Sequence, residues 1–141
     1  STQAKTLFPY TTLFRSVNNA GWTTPNGPLL ATDEAAFHRI YDVNVTSIFH
    51  MCHAVVPHWR QRGQGVMINV SSTAGERPRP GLTWYNSSKG AVNTMTRSLA
   101  VELAPDGIRV NAIAPGLFES RMTKEMLRAG SDSAPAMSKP R

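Results

Sequence analysis

Paired cysteines, long apolar runs and a charge imbalance along the central chain are all missing from this 141-residue sequence. No stretch approaches the roughly 20 apolar residues that a bilayer-crossing helix needs, so no membrane partner is expected. The single cysteine, Cys52, excludes an internal disulfide framework and suits a reducing compartment. No secretory pattern is present: Lys5 leads into a mixed aromatic and threonine run without an apolar block or cleavage site. These absences together predict a soluble, cytoplasmic protein. The net charge of +6 invites a nucleic-acid reading, but residues 17 to 120 hold eight basic against seven acidic side chains. Almost all of the excess therefore sits at the two ends, which does not describe a groove that tracks phosphates, so no nucleic-acid partner is expected.

What is present is enough for one domain, with 40% hydrophobic residues to pack a core. The first sixteen residues look foreign to the rest. Thr6 to Ser16, TLFPYTTLFRS, is similar residue for residue to one reading frame of a widely used sequencing adapter. Leu7, Phe8, Tyr10 and Leu13 would otherwise suit an aromatic-rich strand. An eleven-residue match is too long for chance, so a non-native leader is expected over residues 1–16, with the natural sequence starting near Val17.

From Val17 onward strand and helix signals alternate. Val17 reads as the end of a strand running into Asn18-Asn19-Ala20-Gly21, followed by a loop over 22–31. Thr32 is placed to cap a helix whose first turn holds Asp33 and Glu34, where acidic groups suit the helix dipole. Helical character runs to about Arg62, with a break near Asp42 to Asn44. Val45, Ile48, Phe49, Cys52, Val55 and Val56 recur at helical spacing and predict one buried face. Gly63 and Gly65 stop it. Val66 to Val70 predicts a strand buried on both faces, then a loop over 73–83. A helix from about Trp84 to Ala104 follows, with the stripe Ala91, Val92, Met95, Leu99 and Leu103, ended by Pro105-Asp106-Gly107. Ile108 to Ala114 predicts a last buried strand, closed by Pro115-Gly116. Residues 124–141 decay into a poorly ordered tail. Strands alternating with helices predict a doubly wound α/β fold: a parallel sheet with helices on both faces. Ligands of such sheets bind beyond the carboxyl ends of the strands, where Asn19, Ser72 and Pro115 all fall.

Tyr85 and Lys89 carry the strongest chemical signal, because four residues apart on a helix they share a face. A phenol has an ordinary pKa of about 10, and a nearby ammonium favours its phenolate, so the pair can deliver or accept a proton. A chance surface pair gives the same spacing. Ser72 ends a strand and could hydrogen-bond a developing oxyanion beside the phenol; it could equally bond its own backbone, as could Ser71. Asn44, read alone, is a solvated helix residue.

Taken in order, Asn18-Asn19-Ala20-Gly21, the DVNV around Asn44, the NVSS ending at Ser72, Tyr85-x-x-x-Lys89 and Pro115-Gly116 resemble the short-chain dehydrogenases/reductases over residues 17–123. The resemblance implies a Rossmann-type fold, truncated here at both ends, and NAD or NADP as cofactor. It implies a small-molecule substrate interconverted between ketone and secondary alcohol, as in the 3-oxoacyl-carrier-protein reductases or the sugar and alcohol dehydrogenases. It implies a catalytic tetrad in which Tyr85 is the acid/base, Ser72 polarises the carbonyl, Lys89 lowers the phenol's pKa and holds the nicotinamide ribose, and Asn44 positions a water. It further implies cofactor contacts at Asn19, Ala20, Gly21, Tyr85, Lys89, Pro115, Gly116, Phe118 and Ser120, and a homodimer or homotetramer.

The sequence departs from the family's pattern in two ways. Phe118 is bulkier than the usual aliphatic, and Ser120 stands for the usual threonine. More seriously, no Gly-rich turn receives a pyrophosphate, and no residue selecting NAD over NADP is found. Two alternatives follow: an inactive fragment unable to bind dinucleotide by itself, and a nucleotide-binding regulator that borrowed the fold. His50 and His53 share a helix face, but no third ligand completes a metal site with them, so no metal is expected. Arg77 and Arg79 read as solvated loop charges that could meet an acidic substrate.

Overall fold

The structure is a computed structural model, and residues 15–116 are described. Three strands, β1 (Arg15–Asn18), β2 (Gly65–Val70) and β3 (Ile108–Ile113), form a parallel sheet in the order β1-β2-β3. The register sets Asn18 beside Asn69 and Asn69 beside Ala112, so the three strands leave the sheet at one edge. The first strand starts two residues ahead of Val17: Arg15 and Ser16 pair with Val66 and Met67.

Helix α1 (Glu34–Tyr41) runs through one π-helical turn, Asp42–Thr46, into α2 (Ser47–Arg62); α3 (Thr83–Leu103) links β2 to β3. The cap of α1 is Asp33, whose carboxylate accepts the Ala36 N–H at 2.7 Å, and not the expected Thr32. Thr32 instead ends a short 3-10 turn over Leu29–Ala31, which brings the chain into the helix one residue late. The expected break falls at the π-turn, where the chain stays helical but carries an extra residue. Gly63 closes α2 in the left-handed region (φ 64°) that glycine adopts without steric cost.

One core holds the two long helices against the sheet. Val56 and Trp59 of α2, Met67 of β2, Leu103 of α3, and Ile108 and Val110 of β3 form a single buried cluster. Because the strands are added in sequence order, successive right-handed crossovers put α2 and α3 on the same side. The expected covering of both faces is thus met on one face by the described residues. The other face leaves Val17 61% and Ile113 53% exposed, so β3 is buried on one side only, unlike the two-sided burial expected of it. Phe49 also departs from its expected buried face: it is 53% exposed and lies tilted against the His53 ring with centroids 4.3 Å apart. The π-turn shifts the phase of α2, and Ile48, Val56 and Trp59 become its buried residues.

Candidate active site

Polar bonds that sew α3 to β2 hold the site together. Asn69 of β2 is fully buried; it accepts from Asn18 Nδ2 at 2.7 Å and donates to Thr96 Oγ1 at 2.9 Å. Ser71 donates to the Lys89 carbonyl at 3.2 Å, so it bonds the catalytic-candidate helix and not its own backbone. Beyond the strands, Ser71 N–H donates to the Ile113 carbonyl at 2.8 Å and Thr73 N–H to the Pro115 carbonyl at 3.1 Å. These bonds keep the exits of β2 and β3 side by side, and Gly116 follows in the open: among the described residues nothing lies within 4 Å of where its Cβ would stand.

Lys89 and Tyr85 are both buried, although each is a residue type that usually keeps its polar end wet. Lys89 Nζ donates to the Val70 carbonyl at 3.0 Å and stands 5.8 Å from the centroid of the Tyr85 ring. Burial disfavours the ammonium and brings its pKa down from 10.5 to about 8. One N–H is used by Val70, and the remaining two are available to a ligand. The Tyr85 ring packs with Ala74 and Leu82. Ser72 caps the turn over Thr73–Gly75 that carries Ala74, its Oγ accepting the Ala74 N–H at 3.1 Å. Accepting leaves the Ser72 hydroxyl proton free for donation, so local backbone bonding and a role toward an oxyanion are compatible.

Asn44 corrects the residue-level reading: it is 1% exposed, not solvated. It is the central residue of the π-turn and points into the protein. Its Oδ1 accepts the Trp22 N–H at 2.7 Å, and its Nδ2 donates to the Trp22 carbonyl and to Ser88 Oγ, each at 2.9 Å. The amide thus pairs with the Trp22 backbone as a neighbouring strand would, and Arg39 lies over the Trp22 indole at 4.4 Å. Gly21 completes the corner. A Cβ there would stand 3.6 Å from Lys89 Nζ and 3.9 Å from Asn44 Oδ1, so the missing side chain leaves both polar groups a shared opening.

The four candidate catalytic residues therefore lie at one corner of the sheet, Ser72 through its turn against Tyr85, and Lys89 and Asn44 across Gly21. Asn19, Ala20 and Gly21 follow β1 as an exposed segment at the same edge. Phe118 and Ser120 lie outside the described residues. Arg77 and Arg79 are exposed, as are His50 and His53. Sequence reasoning missed Ser88, the Trp22 backbone and Gly75. A Cβ on Gly75 would come within 2.7 Å of the Lys89 backbone carbon, so this glycine lets the Ser72 turn lie against α3. No spacing pattern marks any of the three, because each acts through a long-range contact.

A small recess beside Tyr85 is lined by Thr24, Leu29, Gly81, Leu82, Trp84 and the Tyr85 ring itself. The cradle fits a nicotinamide nucleoside: an open glycine edge past parallel strands, a buried lysine with spare donors, and a phenol next to it.

A parallel sheet with a buried Tyr–Lys pair beyond its carboxyl edge defines a dinucleotide-type α/β architecture. Comparison gives the particular family: the family model for short chain dehydrogenases matches residues 6–130, and the chain belongs to that family. It is 46% identical over 120 residues to a 4-formylbenzenesulfonate dehydrogenase of Comamonas testosteroni, covering 85% of this chain and 47% of that protein. It is 44% identical to a 2-(R)-hydroxypropyl-CoM dehydrogenase of Xanthobacter autotrophicus, covering 77% of this chain and 44% of that protein. Among solved structures, a 3-ketoacyl-(acyl-carrier-protein) reductase from Brucella melitensis complexed with NADH superposes with a TM-score of 0.78 at 36% identity, over 83% of this chain and 50% of that one. A gluconate 5-dehydrogenase from Burkholderia cenocepacia with NADP and tartrate gives 0.75 at 36% identity, over 86% and 46%. The chain spans about half the length of the curated relatives it matches.

Proposed function

We propose that residues 17–116 are the catalytic half of an NAD(P)-dependent oxidoreductase that interconverts a ketone and a secondary alcohol. The observation that carries this reading is the buried Lys89 ammonium beside the Tyr85 ring, opening toward Gly21 at the carboxyl edge of a parallel sheet. When bound, the nicotinamide supplies or accepts the hydride. The chain's own residues handle the proton. Tyr85 donates it to the substrate oxygen during reduction, and Ser72 donates a hydrogen bond to the same oxygen as negative charge grows there. Lys89 keeps a positive charge beside the phenol and offers its two spare N–H groups to the ribose. Asn44 anchors the wall of the site through Trp22. Asn19, Ala20, Gly21, Pro115 and Gly116 line the cofactor, and the same role is assigned to Phe118 and Ser120, which lie outside the described residues. A carbonyl or alcohol substrate is in keeping with the dehydrogenase and reductase names of the relatives.

Cytoplasmic location and self-association as a dimer or tetramer belong to the same proposal. The exposed Phe49 and Val101, on α2 and α3, support the second. Among the described residues no helix is long and apolar enough to cross a membrane.

The test is oxidation of NADH and NADPH by the protein with the ketones cyclopentanone and 5-keto-D-gluconate. Tyr85→Phe is expected to lower kcat by about 100-fold or more, the scale of a lost general acid. Undiminished turnover in Tyr85→Phe would defeat the assignment of Tyr85 as the acid, and no turnover in the parent protein would favour a nucleotide-binding regulator and defeat the proposal. A second reading has its own support: the sequence lacks a Gly-rich turn and spans about half of its relatives. On that reading, of an inactive fragment, the 141-residue chain leaves NADH fluorescence unchanged.

A further inference from the structure

We propose that Ser88 is a positioning residue that locks the Asn44 amide to the helix bearing Tyr85 and Lys89; the proposal rests on the oxidoreductase reading above. Ser88 is fully buried, and its hydroxyl has two bonds of fixed direction. It donates to the Tyr85 carbonyl at 2.8 Å and accepts from Asn44 Nδ2 at 2.9 Å. Because its proton is spent on Tyr85, the oxygen can only accept from Asn44. That requirement selects one orientation of the amide, Nδ2 toward Ser88 and Oδ1 toward the Trp22 N–H. The same Oδ1 borders the Gly21 opening that it shares with Lys89 Nζ.

Two links in the chain give Ser88 this reach. The π-turn carries Asn44 on an irregular segment whose extra residue has no counterpart in a regular helix, and such turns recur at functional sites. The Asn44–Ser88 bond joins that turn to α3 across 44 residues of sequence. Asn44 also bonds the Trp22 backbone, so one buried amide ties the Gly21 segment, the π-turn and α3 together. Without the Ser88 acceptor one buried Nδ2 proton is left unpaired, and the Trp22 backbone alone holds the amide, no longer tied to α3.

The experiment combines a cycle and an exchange measurement. Ser88→Ala, Asn44→Ala and the double variant are assayed with NADPH or NADH and the faster ketone of the pair above. Hydrogen exchange of the Asn44 side-chain amide is followed by NMR in the 141-residue chain. Ser88→Ala is expected to lower kcat about tenfold, to leave KM within about twofold, and to speed Nδ2 exchange about tenfold, the scale of one lost buried hydrogen bond. On the Asn44→Ala background the same substitution is expected to change kcat by less than about twofold, because neighbours acting through one bond are not additive. An equal loss on both backgrounds, or unchanged exchange and kcat in Ser88→Ala, overturns the proposal. Should Ser88→Ala not fold, Ser88→Cys carries the same measurements, since a thiol keeps the volume and accepts weakly. Absence of turnover in the parent protein would sink the oxidoreductase reading instead, and the exchange measurement would still judge Ser88.

Discussion

Replacing Lys89 by methionine should change how stability depends on pH, in a direction that the burial of Lys89 fixes. In the unfolded chain this ammonium titrates near 10.5, and in the folded, cofactor-free chain near 8. Between those values the unfolded state holds more protons than the folded one, so stability rises with pH across the window. Above 10.5 the lysine is neutral in both states and costs nothing; below about 8 it is charged in both, and the folded state bears the whole penalty. At 1.36 kcal/mol per pKa unit, the shift is worth about 3 kcal/mol. Methionine fills similar space without a charge and removes this dependence, while its loss of the Val70 bond shifts stability by a constant. The assay is urea unfolding of both proteins at several values between pH 7.5 and 10.5. The stability difference between them is expected to swing by about 3 kcal/mol in favour of the parent as pH rises. Two curves that run parallel through the window would refute the reasoning, for they would mean that the ammonium finds solvation or a counter-charge on folding.

Further expectations follow from contacts at the same corner. Gly75→Ala would drive a Cβ to 2.7 Å from the Lys89 backbone, which cannot rotate away. It should cost about 1–3 kcal/mol, read as a lower urea midpoint, and a parental midpoint would show that the turn gives way freely. Asn69→Ala strips partners from both Asn18 and Thr96. Its expected cost in the same assay is about 2–3 kcal/mol, and a loss below about 0.5 kcal/mol would place both bonds outside the stability of the sheet.

The sequence alone determined the alternation of strands and helices, because period and punctuation are local properties that survive without a partner. Val66 to Val70 and Ile108 to Ala114 were readable within a residue or two of β2 and β3, and the head of α3 within one. Tyr85 and Lys89 were readable as a pair, since a helix fixes their common face. The burial of Asn44 was not. Its environment is made by Trp22 and Ser88, which lie 22 and 44 residues away, and no local pattern encodes such distances. Tertiary structure also decided which face of the sheet α2 and α3 share, where Phe49 points after the π-turn, and why Gly75 must lack a side chain. The physical reason is common to all of these. Backbone propensity acts between neighbours in sequence, whereas burial and its effect on a charge depend on everything packed within a few ångströms, whatever its place in the chain.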